Sequence, residues 1–255
     1  MKKTTLLKTL AAAAAACLSL LMLTGTAIAG ELETKITTTL KNAGKEIDVS
    51  SYGLTPQEAM DKYLGIVAQN PDLFYVSNHV DCKFDKSTGK CVALICSYNT
   101  ADITKQKAAF DAEITKMTSI LGQTAYDKVK NVHDYIVTNY EYDQTNASLT
   151  AYDMMVSKKG ICTGYAGMFK AAMDKLKIPC EIAISSDMQH EWAVIQLGDK
   201  WYNVDVTWDD PIGGGNTVTY ANFLKSDKMM GMSGHFNWTT PSNVMCTDTK
   251  YDTMG

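Results

Sequence analysis

The chain has 255 residues, 45% of them hydrophobic, a formal net charge of -4, and 24 basic residues that are all lysine. That length suffices for one sizeable core or two small ones. An acidic surface without a guanidinium fork argues against nucleic acid as a partner and against a dedicated phosphate or carboxylate clamp.

Lys2, Lys3 and Lys8 form a basic start, Leu10 to Leu23 an apolar run short for a membrane span, and Ala27-Ile28-Ala29 a small-x-small cleavage site before Gly30. Residues 1–29 are therefore predicted to be a secretory signal peptide, with Cys17 leaving in it. The remainder is expected to be secreted or extracellular, without stable membrane insertion. Losing three lysines takes the formal charge from -4 to -7.

Glu31 to Ser51 is polar, rich in Thr and Lys and weakly patterned, which reads as an extended lead-in or a loosely held strand. Thr55-Pro56-Gln57-Glu58 is a capping box with proline at the first helical position. Ala59, Lys62, Tyr63, Ile66 and Val67 carry that helix's face toward Asn70-Pro71. Val80 to Phe84 and Cys91 to Tyr98 read as the arms of an antiparallel hairpin turning at Lys86-Ser87-Thr88-Gly89. A long helix follows, with Ile103, Phe110, Ile114, Met117 and Leu121 along one side. Residues 30–122 are predicted to be an N-terminal α+β segment that supplies packing and no reaction centre.

Residues 123–255 carry the chemistry. Thr124-Ala125-Tyr126-Asp127 caps a helix whose inner face is Val129, Val132, Ile136 and Tyr140. His133 lies on it, and its neighbour Asp134 is expected to point elsewhere, so His133 reads as structural. Thr150-Ala151-Tyr152-Asp153 caps a short helix, and Lys158-Lys159-Gly160 leads to Cys162.

Cys162 precedes Tyr165, Met168, Phe169, Ala172, Met173 and Leu176, the spacing of a helix buried along one face. Its thiol falls in the first turn, where unpaired N–H groups and the helix dipole favour negative charge and hence the nucleophilic thiolate. Lys177-Ile178-Pro179 ends the helix. Cys180 to Ile184, His190 to Leu197 and Lys200 to Thr207 read as strands, the last two joined by Gly198-Asp199, a hairpin signal. Pairing Leu197 with Lys200 makes His190 and Asp205 diagonal neighbours on one face, close enough for carboxylate to meet imidazole. The order supplies a nucleophile, a base and an orienting carboxylate. Each alone has a plainer use, the cysteine as a small buried hydrophobe and the His–Asp pair as a structural contact. Their joint order in a helix-strand-strand context is what a structural use does not require.

Past Pro211, Gly213-Gly214-Gly215-Asn216 reads as a flexible loop and Val218 to Leu224 as a strand or short helix. Asp209 and Asp210 lack the alternating ligands of a calcium loop and read as turn caps. His235 is the second candidate for a catalytic histidine. No carboxylate stands at hairpin spacing from it, so it reads as part of a loop packed on the core.

The elements Gly160-Ile161-Cys162-Thr163-Gly164-Tyr165-Ala166, His190-Glu191-Trp192-Ala193, Trp201-Tyr202-Asn203-Val204-Asp205 and Thr207-Trp208-Asp209-Asp210-Pro211 together resemble the transglutaminase-like superfamily. Its core is similar to that of papain-type cysteine proteases. The resemblance implies an α+β fold, with a nucleophile helix packed on an antiparallel sheet over residues 123–255. It implies Cys162 as nucleophile, His190 as acid/base and Asp205 as orienting partner, acting through a thioester on a protein or peptide substrate without a cofactor. Animal transglutaminases follow Gln-Cys-Trp, whereas Ile161 and Thr163 flank Cys162 here, which turns the expectation toward hydrolysis of a peptide or side-chain amide. The alternatives are isopeptide cross-linking and a non-catalytic secreted binding module of the same fold. The Cys162 N–H is one natural oxyanion donor, and the second is expected near Tyr152. Trp192, Trp201, Tyr202 and Trp208 are candidate walls of an acyl tunnel, their plainer use being core.

Cys82 and Cys91, on opposite hairpin arms, are candidates for a disulfide, with Cys96 competing. Cys180 and Cys246 have no assigned partner, and the other reading leaves all of these free. Cys-x8-Cys-x4-Cys is not a zinc spacing and only His79 stands near it, so no metal is expected.

Overall fold

The computed structural model describes residues 4–7, 26–120, 122–213 and 217–253. Residues 8–25, with Cys17 and most of the expected export signal, lie outside the described residues, as do Leu121 and the loop residues Gly214, Gly215 and Asn216. The chain divides into two compact units, Met1–Ile103 and Thr104–Gly255.

In the first unit, β1 (Thr4–Leu7), β2 (Glu46–Asp48), β3 (Val76–Asp85) and β4 (Cys91–Tyr98) form an antiparallel sheet in the order β1-β3-β4-β2. Two helices accompany it, α1 (Thr26–Lys41) and α2 (Pro56–Gln69). α1 occupies much of the stretch that reads as extended, and the reason is a narrow row of side chains. Leu32, Ile36 and Leu40 recur every fourth residue and are buried, which supports a helix on one thin stripe among threonines and lysines. α2 starts as its capping box dictates: Glu58 N donates to Thr55 Oγ1 at 3.3 Å and Thr55 N to Glu58 Oε2 at 2.8 Å. The β3–β4 hairpin forms as expected, and Cys82 and Cys91 are joined across it by a disulfide with Cα atoms 6.3 Å apart. Cys96 stays free and buried.

The second unit takes in α3 (Ile103–Thr118), whose Glu113 accepts from the Tyr135 and Tyr140 hydroxyls at 2.9 and 2.8 Å. The division between units thus falls at the start of this helix, after its first residue Ile103. Then come α4 (Ala125–Asn139), the two-residue strand β5 (Glu141–Tyr142), α5 (Ala151–Ser157) and β6 (Lys159–Gly160), which pairs in parallel with β5. α6 (Cys162–Leu176) ends at Lys177 in the left-handed conformation. An antiparallel sheet follows in the order β10-β9-β8-β7, built from β7 (Cys180–Ser185), β8 (His190–Leu197), β9 (Lys200–Val204) and β10 (Phe223–Lys225), with α7 (Asp227–Ser233) after it. Val218 to Leu224 therefore yields strand only at its end. α6 packs on β7 and β8 and against α4 and α5, burying Tyr165, Met168, Phe169, Ala172 and Met173. This is an α+β arrangement, a buried helix on an antiparallel sheet.

The α1 stripe is tested by truncation. Ile36→Ala is expected to lower stability by about 2–4 kcal/mol in urea unfolding, and exposed Thr38→Ala to leave it within about 0.5 kcal/mol.

Candidate active site

Cys162 is the first residue of α6, and its position depends on the glycines around it. A Cβ on Gly160 would lie 2.6 Å from Met154 Sδ and 2.9 Å from Met154 Cβ, and one on Gly164 would lie 3.0 Å from the same sulfur. Met154 of α5 therefore seats directly on the backbone flanking Cys162, and only glycine leaves room for it. The Gly164 and Tyr165 N–H groups donate to Ile161 O, closing the first turn. The Cys162 N–H has no intrahelical acceptor and is available to an incoming oxygen.

The β8–β9 hairpin has the expected register, Leu197 opposite Lys200 and Ala193 opposite Val204, turning at Gly198 with φ +65°. β9 ends at Val204, and the chain turns just beyond it on the Asp205 side chain. Asp205 Oδ1 accepts the backbone N–H groups of Thr207 at 3.0 Å and Trp208 at 3.2 Å. Its Oδ2 meets His190 Nε2 at 2.6 Å. Nε2 is thereby committed and Nδ1 is left free of Asp205, while the Cys162 side chain lies near enough to this imidazole to favour its charged form.

A second imidazole reaches the same oxygen: His235 Nε2 lies 2.9 Å from Asp205 Oδ2. His235 is buried as the loop reading expects, and it has a carboxylate partner, though not at hairpin spacing. Hairpin spacing could not reveal the contact, because His235 arrives from the loop after α7. His190 Nε2, Asp205 Oδ2 and His235 Nε2 lie within 4.8 Å of one another, close enough to share a cation. Asp205 already accepts four hydrogen bonds, so a metal there would have to displace imidazole protons.

The aromatic residues divide by depth. Trp192 is 1% exposed and belongs to the core with Ala183, Val194 and Met230, its Nε1–H donating to Asn203 Oδ1 at 2.9 Å. It backs the His190 ring at 5.7 Å instead of walling a tunnel. Tyr202 is buried, its hydroxyl donating to Asp248, and Trp201 packs on the same core as Trp192. Trp208 is 42% exposed, stacks on His190 at 5.5 Å and lies tilted by 44° against His235 at 4.1 Å. Tyr152 sits half-buried in the first turn of α5, the helix that carries Met154.

Other residues hold the surroundings. His133 is fully buried, with Nδ1 3.0 Å from Asp134 Oδ1 and Nε2 3.1 Å from Asp209 Oδ2. Asp134 does face it, contrary to the helical-neighbour argument, and with Asp209 it occupies both ring nitrogens. Asp209 Oδ1 accepts the Asn222 N–H at 2.9 Å, so Asp209 closes a turn and ties it to α4. Asp210 accepts from the Tyr165 hydroxyl. Tyr142 stands on β5. Its strand pairing with Gly160 sets it beside Cys162, and it lines a cleft of about 650 Å³ with Asp143, Ser148, Lys159 and Asp210.

The electrostatics follow these contacts. Burial pulls the His190 pKa down, but the hydrogen bond to Asp205 and the Cys162 side chain outweigh it and lift the imidazole to about 10. Burial works to raise the Asp205 carboxyl, and its two histidine donors overcome this and hold it below the usual range. Burial pushes Glu191, next to His190, up to about 7. Burial likewise raises the thiols of Cys96, to about 11, Cys180 and Cys246, leaving them poor nucleophiles.

Residues 113–206 match the family model described as the transglutaminase-like superfamily, a span that holds Cys162, His190 and Asp205. The kyphoscoliosis peptidase of Homo sapiens is 23% identical over 149 residues, which are 49% of this chain and 22% of that protein. Among solved structures, a TGase is similar with a TM-score of 0.38 and 16% identity, over 46% of this chain and 41% of its own. A protein from Cytophaga hutchinsonii described as a cysteine protease has a TM-score of 0.33 and 18% identity, over 52% and 58%.

The raised His190 pKa carries a sign that can be measured. An unfolded imidazole titrates near about 6.5, so the contacts that hold it charged stabilise the fold fully below that pH and lose their effect as pH rises through about 10. The gap in Tm between wild type and His190→Phe is expected to be largest and flat below about pH 6.5 and to shrink toward pH 10. A gap that widens with pH would contradict the charged assignment.

Proposed function

We propose that this chain, whose residues 113–206 form a transglutaminase-like superfamily domain, is a secreted cysteine-dependent acyl-transfer enzyme that hydrolyses peptide or glutamine-type amides. The observation that carries the reading is the 2.6 Å pairing of Asp205 Oδ2 with His190 Nε2, with Cys162 at the start of α6 near enough to the same imidazole to favour its charge.

In this reading the Cys162 thiolate forms a C–S bond to the amide carbon while the carbonyl electron pair moves to oxygen. The Cys162 N–H receives that charge. When the pair returns, the C–N bond breaks and the proton on His190 Nδ1 passes to the leaving amine or ammonia. The imidazole, now neutral at Nδ1, takes a proton from water; the hydroxide displaces sulfur from the thioester, the acid departs, and the Cys162 thiolate and the protonated imidazole are restored. Asp205 holds Nε2–H throughout and so fixes which nitrogen works.

Preference for water over an amine is supported by the depth of the aromatics. With Trp192 in the core and Trp208 42% exposed, the indoles do not close a tunnel around His190. The relative's name, a peptidase, agrees in kind. Secretion rests on the basic start, the apolar run and the cleavage site ahead of Gly30.

The test takes protein from the culture medium, where its N-terminus is expected at Gly30, and incubates it with a mixed peptide pool and a tagged primary amine. Mass spectrometry is expected to find backbone cleavage or glutamine-to-glutamate conversion. Cys162→Ala and His190→Ala should lower the rate roughly a thousandfold or more, and Asp205→Asn roughly a hundredfold or more, in folded protein. Dominant amine incorporation would replace hydrolysis by cross-linking, and an undiminished rate in Cys162→Ala would remove the enzyme reading altogether.

A further inference from the structure

We infer that His235 is a positioning residue of this site: it acts as a second imidazole donor that locks the Asp205 carboxylate in the orientation His190 needs. The inference rests on the Cys162–His190–Asp205 reading above. It begins from the accounting of a buried anion. Asp205 has no exposed surface, and a carboxylate there keeps its charge only if its lone pairs are filled by donors. Two backbone N–H groups fill Oδ1. Oδ2 receives His190 Nε2 at 2.6 Å and His235 Nε2 at 2.9 Å. An ionised carboxylate only accepts, so both Nε2 atoms carry hydrogen.

His235 is held as firmly as the group it serves. Its backbone N–H donates to Met230 O at 3.0 Å, and its Nδ1 lies 3.1 Å from Ser233 Oγ, whose hydroxyl donates to Met230 O at 2.9 Å. Its ring lies 4.1 Å from that of Trp208 and 4.8 Å from that of Trp192. The charged and titratable groups that face it are Asp205, His190 at 5.8 Å between ring centres, and Cys162 beyond His190. Ser233 and Met230 of α7, Trp192 of β8 and Trp208 of the turn bring no charge. A plain core filler between two indoles needs no N–H, and phenylalanine would serve. What imidazole adds is the donor at Nε2. Without it Oδ2 would keep one donor instead of two, and the oxygen that His190 meets would be held less firmly, with Oδ1 alone still fixed by two backbone N–H groups.

The experiment reads the pH dependence of iodoacetamide alkylation at Cys162, with Tm as a control, in wild type, His235→Phe, His235→Gln and His190→Phe. In His235→Phe the rate at pH 6 is expected to fall about tenfold and the whole curve to move to higher pH, because the imidazolium facing the thiolate is less well held. His235→Gln keeps an N–H at the ε position and should recover most of the rate. A filler role predicts the opposite pattern: phenylalanine leaves the curve in place and glutamine, a polar group between indoles, does more harm to Tm. An unmoved curve in folded His235→Phe overturns the inference. If His235→Phe does not fold, the wild type still decides through 15N NMR of its imidazoles, where His235 is expected to carry hydrogen on Nε2 facing Asp205, and a bare Nε2 overturns the inference. His190→Phe separates the two claims. A displaced curve there with an unmoved one in His235→Phe sinks only the positioning role, while a wild-type curve in His190→Phe sinks the Cys162–His190 reading itself.

Discussion

A carboxylate with no exposed surface must have its oxygens filled by donors or surrender its charge, and the neighbourhood of Asp205 is arranged to prevent that loss. Four donors converge on it from three places: the turn after β9, the start of β8 and the loop after α7. Each donor does more than satisfy the anion. The Thr207 and Trp208 N–H groups bend the chain out of the sheet, which swings Trp208 over the imidazole. His190 is held by one nitrogen, which leaves the other free on an imidazole whose charge the Cys162 side chain favours. Loss of the charge at Asp205 would loosen the turn and the base together.

The thiol side of the site depends on close packing instead of charge. Met154 lies so near the Gly160 and Gly164 backbone that a methyl group on Gly160 would collide with three of its side-chain atoms. The short parallel pairing of β5 with β6 brings Tyr142 alongside from the other direction, and the Asp143 N–H donates to Gly160 O at 2.7 Å. The first turn of α6 is thus clamped between a helix and a strand of two residues. A nucleophile placed this way needs no local strain, only a backbone that cannot move.

Much of this was legible in the sequence because the contacts that matter are short-range in register. The two-residue turn at Gly198-Asp199 fixes Leu197 opposite Lys200, and from that pairing the approach of Asp205 to His190 follows by counting residues. The three N-cap threonines at 55, 124 and 150 likewise announce their helices, each with its acidic partner three residues on. What the sequence concealed falls into two kinds. α1 was hidden by composition, since three apolar residues in a Thr/Lys-rich stretch are a weak pattern until the sheet beside them is known. The second donor to Asp205 was hidden by distance along the chain, thirty residues away with no periodicity linking the two. The same holds for His133 and Asp209, whose contact spans seventy-six positions. The indoles were ambiguous in the sequence because Trp192 and Trp208 both flank the imidazole, and only depth separates one as support from the other as surface.

The claim on which everything functional depends is that Cys162 forms a covalent acyl intermediate. It is tested most directly by mixing the mature protein with its peptide pool, quenching in acid within milliseconds to seconds, and mapping adducts by mass spectrometry. The account predicts an acyl group in thioester linkage on Cys162 alone, removable by hydroxylamine and accumulating in a variant whose second step is slowed. Turnover without any adduct on Cys162, or an acyl group on a different residue, would contradict it.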